Sequence, residues 1–146
     1  MGDLLHQEGR AREAFEAYDS CLMHAPDNIM CLNNYAYYLS EMGLQLGKAE
    51  QMSFKTIKAD PQNATYLDTY AWILFMEERY SEAKIYIEQA LQNDSSGNAV
   101  ILEHAGDIYM KNHDVERALE LWNDALGQDP GNKKLFRKIK LKKYLK

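Results

Sequence analysis

The stretch of sequence that decides the fold is residues 99–132, which read AVILEHAGDIYMKNHDVERALELWNDALGQDPGN. Leu102, Ala105, Gly106 and Tyr109 follow a spacing of 3, 1 and 3, which places all four on one face of a helix. The small residue in the third place lets a neighbouring helix approach closely. A second helical pattern follows the polar segment, so the stretch is predicted to form two helices joined by a turn. The small and bulky residues of that second pattern are Ala118, Trp122 and Ala125.

The same arrangement recurs along the chain with a nearly constant period. The small residue inside the second helix of each hairpin stands at Ala14, Ala49, Ala83 and Ala118, with separations of 35, 34 and 35. This period divides the chain into a partial repeat at 1–28 and repeats at 29–63, 64–98 and 99–132. The first helices of the middle repeats carry the matching sets Leu32, Tyr35, Ala36 and Leu39, then Leu67, Tyr70, Ala71 and Leu74.

This pattern resembles the tetratricopeptide repeat family, whose 34-residue unit reads W-x2-L-G-x2-Y, then A-x3-F, then P. The repeat at 99–132 matches it best, with Pro130 in the proline position. The resemblance implies an all-α fold, a right-handed superhelical solenoid of antiparallel helix hairpins that cover one another's apolar faces.

The two ends of the chain depart from the repeat. Residues 133–146 are predicted to form a basic capping helix, with Leu135, Phe136 and Ile139 as its apolar stripe and the lysines facing water. Counting back from Ala14 places the start of the first hairpin before residue 1. The chain is therefore interpreted as a C-terminal fragment of a longer repeat protein, and its exposed repeat ends would permit association into a homo-oligomer.

The resemblance also implies a site, because the first helices of tetratricopeptide hairpins line a concave groove that holds the partner. Some of the large apolar residues at groove positions, which the core does not require, are candidate anchors for a partner. The alternative is that they cover the packing between helices. The predicted groove residues are Met30, Asn33, Asn34, Tyr37, Thr65, Asp68, Thr69, Trp72, Phe75, Met76, Glu103, Asp107 and Met110.

The charge of the groove predicts the kind of partner. Related domains that capture C-terminal carboxylates use lysine, arginine and asparagine, because a carboxylate needs cationic partners. Lys111, at a further groove position of the repeat at 99–132, is the single basic residue that this pattern places in the groove, and the acids Asp68, Glu103 and Asp107 accompany it. A protein or peptide of basic or apolar character is therefore expected.

The alternative function is binding of an anionic partner, either nucleic acid or a membrane surface, through the basic segment. The net charge of −5 divides into +8 for residues 133–146 and −13 for the rest. Eight cations in fourteen residues could neutralise several phosphates, but the remaining charge would repel a polyanion. Nucleic acid is accordingly the less favoured partner.

The sequence offers no pattern for catalysis, a metal or a cofactor. The four histidines are far apart, so each is expected to be solvated or half-buried, and none has the H-E-x-x-H spacing. Cys21 and Cys31 lack the C-x-x-C spacing of a metal site. No stretch approaches the ~20 apolar residues of a membrane span, and no targeting signal assigns a compartment.

Overall fold

The structure, a computed structural model, describes residues 2–94 and 97–145, and the side chains from residue 12 onward. In this part of the chain the secondary structure is entirely helical. The helices are α1 (Gly2–His24), α2 (Ile29–Met42), α3 (Leu46–Ala59), α4 (Ala64–Met76), α5 (Tyr80–Asn93), α6 (Ala99–Lys111), α7 (Val115–Gln128) and α8 (Lys133–Leu141).

The helices pair into stacked antiparallel hairpins. α2 packs against α3, α4 against α5 and α6 against α7. The first helices α2, α4 and α6 also contact one another in order, and each second helix packs against the first helix of the next hairpin. α8 closes the stack by packing against α7. The result is a solenoid in which the first helices form one continuous inner layer.

An asparagine starts each first helix and the final helix. The side-chain oxygens of Asn28, Asn63, Asn98 and Asn132 accept hydrogen bonds from backbone N–H groups in the first turn of the helix that follows. These N–H groups have no partner within the helix, so the cap stabilises its beginning. The period of the repeat is thus marked by helix starts as well as by the small core residues.

The turns inside the later hairpins use left-handed backbone. Glu78 and His113 have positive φ angles of 63° and 67°, each five residues before the small residue of the second helix. Gly9 holds the same place before Ala14, yet the structure shows one uninterrupted helix there, whereas the sequence predicted a partial hairpin.

The core is built where small residues allow close contact between helices. Ala49, Ala83 and Ala118 are fully buried, each as the fourth residue of its helix. A Cβ added to Gly106 would lie 2.1 Å from Cδ1 of Trp122, so the indole of α7 occupies the space above this glycine. The prediction of a close helix approach at Gly106 is confirmed.

The capping helix differs from the prediction in two residues. Leu135 is buried and Ile139 half-buried, but Phe136 is 56% exposed. Lys138, expected to face water with the other lysines, is buried instead. Lys138 is three residues after Leu135 and therefore on the same face of α8. There its ammonium forms ion pairs with Glu103 and Asp107 of α6.

Candidate functional site

The inner layer carries all thirteen predicted groove residues, but the structure leaves few of them open. Three are exposed, namely Met30, Asn34 and Thr65. Four are half-buried, namely Tyr37, Met76, Glu103 and Met110. Six are buried, namely Asn33, Asp68, Thr69, Trp72, Phe75 and Asp107.

Two of the predicted apolar anchors belong to the core. Trp72 is 7% exposed, and its ring stacks on Phe75 with centroids 4.7 Å apart and on His104 with centroids 4.1 Å apart. For Trp72 and Phe75 the structure therefore supports the alternative, in which residues at groove positions cover the packing between helices. The physical reason is that the Trp72 ring has two stacking partners, Phe75 one turn away on α4 and His104 on α6 of the next hairpin.

His104, one of the stacked rings, also forms a buried pair with Asp68. Its Nδ1 lies 2.9 Å from Oδ1 and 3.1 Å from Oδ2 of the carboxylate. Burial alone would lower the pKa of His104, but Asp68 and, secondarily, Asp107 raise it above its ordinary value. The expectation of a solvated or half-buried histidine is wrong at this position, because the carboxylate of the preceding hairpin satisfies the ring.

Asp107 is the centre of a second buried polar group. Its Oδ1 accepts hydrogen bonds from Trp122 Nε1 at 3.2 Å and from Lys138 Nζ at 2.8 Å. Burial raises the pKa of Asp107 to about 6, although Lys138 acts in the opposite direction. Burial is the larger of these two influences on the Asp107 pKa.

Glu103 of α6 forms hydrogen bonds with α8 and with the residue that caps it. Its two oxygens accept hydrogen bonds from Asn132 Nδ2 at 2.9 Å and from Lys138 Nζ at 2.8 Å. Lys138 thus brings a cation to the concave side that the sequence analysis did not count. The sequence signal for its burial is the spacing of three residues from Leu135, which places Lys138 on the apolar face of α8.

A cavity of about 720 Å³, here called the aromatic cavity, lies on the concave side near α8. Trp72, Phe75, Tyr80 and Tyr144 supply rings to its wall, and Glu41 and Glu78 supply carboxylates. The indole N–H of Trp72 is buried and has no hydrogen-bond acceptor among the described residues. Tyr144, which the sequence did not single out, contacts Phe75 edge-on with centroids 5.1 Å apart.

A second concave cavity of about 410 Å³, here called the amide cavity, lies nearer the beginning of the chain. It brings together five of the predicted groove residues, which are Asn33, Asn34, Tyr37, Thr65 and Thr69. The Oδ1 atom of Asn33 is buried without a hydrogen-bond donor in the described part of the chain. The other predicted groove residues line neither cavity, and these are Met30, Asp68, Glu103, Asp107 and Met110.

The described residues contain no group of three or more histidine, cysteine, aspartate or glutamate side chains that could hold a metal ion. Burial and the neighbouring Cys21 raise the pKa of the Cys31 thiol to about 11, which keeps it protonated at neutral pH. Within the same described ranges, every helix is too short or too polar to cross a membrane.

Comparisons with known proteins agree with this architecture. No protein-family model matches the chain. A TPR repeat-containing protein of Pseudomonas aeruginosa is 34% identical over 67 residues, which are 46% of this chain and 11% of that protein. The match thus spans about a tenth of the relative's length.

Two solved structures show how far the likeness extends. The crystal structure of MamA has a TM-score of 0.73 at 20% identity, covering 97% of this chain and 82% of that one. The first TPR of Spaghetti (RPAP3), bound to the HSP90 peptide SRMEEVD, has a TM-score of 0.70 at 16% identity over 78% of this chain and 89% of that one. The chain resembles tetratricopeptide repeat proteins and has their fold, so the predicted all-α solenoid is confirmed.

Proposed function

We propose that this chain is a non-catalytic binding module that holds a peptide or protein segment along the concave face of its solenoid. The observation that carries the proposal is the amide cavity, an open hollow whose buried Asn33 oxygen has no hydrogen-bond donor among the described residues. A buried acceptor without a partner costs free energy, so a ligand N–H that reached it would be favoured. The fold supports the proposal, since the TPR of Spaghetti binds a peptide.

The amide cavity offers what an extended peptide needs. Asn34 and Thr65 are exposed and can exchange hydrogen bonds with peptide N–H and C=O groups, which every sequence carries. The half-buried rings of Tyr37 and Tyr38 provide apolar surface for side chains of the ligand. Hydrogen bonds from the amides would fix the path of the backbone, and the rings would select among side chains.

The concave side favours a basic or apolar partner. The carboxylates of Glu41 and Glu103 lie on it, and Lys111 and Lys138 are already close to aromatic rings or acids of this chain. An acidic peptide such as SRMEEVD would therefore meet carboxylates where it needs cations. Lysine, arginine and apolar side chains suit the groove better.

The test starts from a random peptide library displayed on phage and selected against the full chain. Kd values of the selected peptides are then measured by fluorescence anisotropy for the protein, for Asn34→Ala with Thr65→Ala, and for Gln92→Ala. Gln92 is an exposed amide on α5 that lines neither concave cavity, so it is the matched control. Loss of two hydrogen bonds predicts a Kd about tenfold higher in the groove variant and no change in the control.

Two results would contradict the proposal. One is that the groove variant and Gln92→Ala bind the selected peptides equally well. The other is that a DNA fragment binds with steep salt dependence and that Lys140→Ala with Lys142→Ala removes this binding, which would assign the function to the basic segment.

A further inference from the structure

The residues that follow α8 turn back toward the concave face. Lys142 adopts a left-handed conformation with a φ angle of 54°, and the Lys143 N–H donates to the Lys138 carbonyl at 3.2 Å. This bond closes the helix in the manner of a Schellman motif, which reverses the chain direction. Residues 142–145 are therefore brought to the aromatic cavity, where Tyr144 forms part of the wall.

Tyr144 is held there by contacts of its ring. The ring meets Phe75 edge-on, and the ammonium groups of Lys111 and Lys138 lie 5.5 and 5.3 Å from its centroid. The side chain is only half-buried, and these three contacts are all made by its ring. Ring contacts of this kind are favourable, and they depend on the ring itself rather than on the chain that carries it. A tyrosine from another chain could make the same contacts.

The aromatic cavity stays open beside Tyr144, whose ring forms one part of its wall. Its volume of about 720 Å³ falls within the range of ordinary ligand pockets. The buried indole N–H of Trp72 remains a donor without an acceptor, and a carbonyl of a longer bound segment would satisfy it. Residues 142–145 therefore leave part of the cavity and one of its polar groups unused.

The charges indicate what kind of segment fits. Before α8 is added, the concave wall supplies the carboxylates of Glu41, Glu78 and Glu103 against the single ammonium of Lys111. α8 compensates for this excess of negative charge with Lys134, which lines the aromatic cavity, and with Lys138, which pairs with Glu103. The chain's own basic and aromatic segment is thus an example of the chemistry that this surface accepts.

We infer that the aromatic cavity binds an aromatic side chain of a lysine-containing partner segment, and that residues 142–145 are an internal ligand which this partner displaces. The inference rests on the proposed function and names the class of partner for one half of the groove. A tethered segment acts at a high effective concentration, so it lowers the apparent affinity of a free peptide. Removing the ring of Tyr144 should open the site.

The experiment uses a labelled peptide with the sequence of residues 140–146, KLKKYLK, and the full chain. We expect KLKKYLK to bind Tyr144→Ala at least about tenfold more tightly than it binds the unchanged protein, because the apparent Kd scales inversely with the open fraction. Tyr144→Phe keeps the ring and should behave like the unchanged protein. The peptide KLKKALK, which lacks the ring, should bind neither.

A control and a spectroscopic measurement keep the result interpretable. Phe136→Ala removes an exposed aromatic of α8 that lines neither the aromatic nor the amide cavity, and it should leave binding of KLKKYLK unchanged. In Tyr144→Ala the indole N–H resonance of Trp72 should shift when KLKKYLK is added, whereas that of Trp122, bonded to Asp107, should not. Circular dichroism checks that each variant stays folded.

Equal binding of KLKKYLK to Tyr144→Ala and to the unchanged protein would overturn the inference, as would equal binding of KLKKALK and KLKKYLK. If library-selected peptides still depend on Asn34 and Thr65 in that case, the proposed function stands and only the aromatic cavity has been misassigned. If no peptide depends on either cavity, both proposals are wrong.

Discussion

The Nζ atom of Lys138 lies 2.8 Å from Oδ1 of Asp107, and each side chain is only 2% exposed. Lys138 belongs to α8 and Asp107 to α6, so the pair joins the last helix to the inner layer. Glu103 provides a second carboxylate at 2.8 Å, which gives the ammonium two charged acceptors. A buried ammonium without partners is costly, so this arrangement favours one docking position of α8 over others.

Lys138→Met should lower the free energy of unfolding by about 3 to 5 kcal/mol, because it leaves the Asp107 carboxyl buried without its cation. Methionine keeps much of the length of the lysine stem, so the change isolates the charge. Urea denaturation followed by circular dichroism measures the effect.

The matched control for this change is Lys140→Met, since Lys140 is exposed on the same helix. Its free energy of unfolding should change by less than about 0.5 kcal/mol. Adding Asp107→Asn to Lys138→Met should restore part of the loss, because no charge then remains unpaired at that position. Equal urea midpoints for the two lysine variants would mean that Lys138 is solvated.

Gly106→Ala should destabilise the fold, in spite of the usual preference of helices for alanine. The new Cβ would lie 2.1 Å from Cδ1 and 2.3 Å from Nε1 of Trp122, which is fully buried and cannot retreat easily. Overpacking of this kind costs about 1 to 3 kcal/mol. Thermal midpoints of the variant and the unchanged protein provide the measurement.

Gly127→Ala tests the same substitution where space is open. An added Cβ there meets no atom within 4 Å, and Gly127 lies within α7. Stability should rise by up to about 1 kcal/mol, the difference in helix propensity between the two residues. If both alanine variants had raised midpoints, the close approach of Trp122 to Gly106 would be refuted.

The helical hairpins were predictable because their signals are local. Ala49, Ala83 and Ala118 recur at the repeat period, and each is the place where a neighbouring helix lies too close for a larger side chain. Asparagine caps and left-handed turns add further local signals at the ends of the helices. Such features depend on neighbours within one or two turns, so the sequence alone reveals them.

The exposure of the groove was not predictable, because it depends on partners that are distant in sequence. Trp72 is covered by His104 of the next hairpin. Lys138 can be buried because its ammonium pairs with Asp107 and Glu103, which lie 31 and 35 residues earlier in the sequence. Helical spacing places a residue on a face without saying what will lie over that face. The two buried polar groups therefore appeared only in the structure.

Trp72→Ala should lower the free energy of unfolding by about 3 to 5 kcal/mol, the usual cost of removing a buried tryptophan. The sequence predicted Trp72 as a groove residue, but its ring stacks on Phe75 and His104 in the core. Urea denaturation of Trp72→Ala beside Asn34→Ala, which changes an exposed residue, measures the contrast. Equal stability of the two variants would contradict the burial of Trp72.

The pair of His104 and Asp68 makes stability depend on pH. A histidine whose folded-state pKa is raised binds its proton more tightly when folded, so the stabilisation is complete below the unfolded pKa of about 6.5. It is lost as the pH rises through the raised value. Asp107 has a pKa of about 6, and the charge of His104 lowers that pKa, so part of the difference between the two proteins comes from the attraction between the imidazolium and Asp107.

His104→Gln should therefore lose more free energy of unfolding at pH 5.5 than at pH 8.5, relative to the unchanged protein. Glutamine can still donate a hydrogen bond to Asp68 but carries no charge, so the pH-dependent part of the loss reports the imidazolium. Urea denaturation at pH 5.5, 7 and 8.5 gives the three differences. The exposed His24→Gln provides the control, with a change below about 0.5 kcal/mol. A loss for His104→Gln that stays constant across this range would show that the ring pairs with Asp68 in its neutral form.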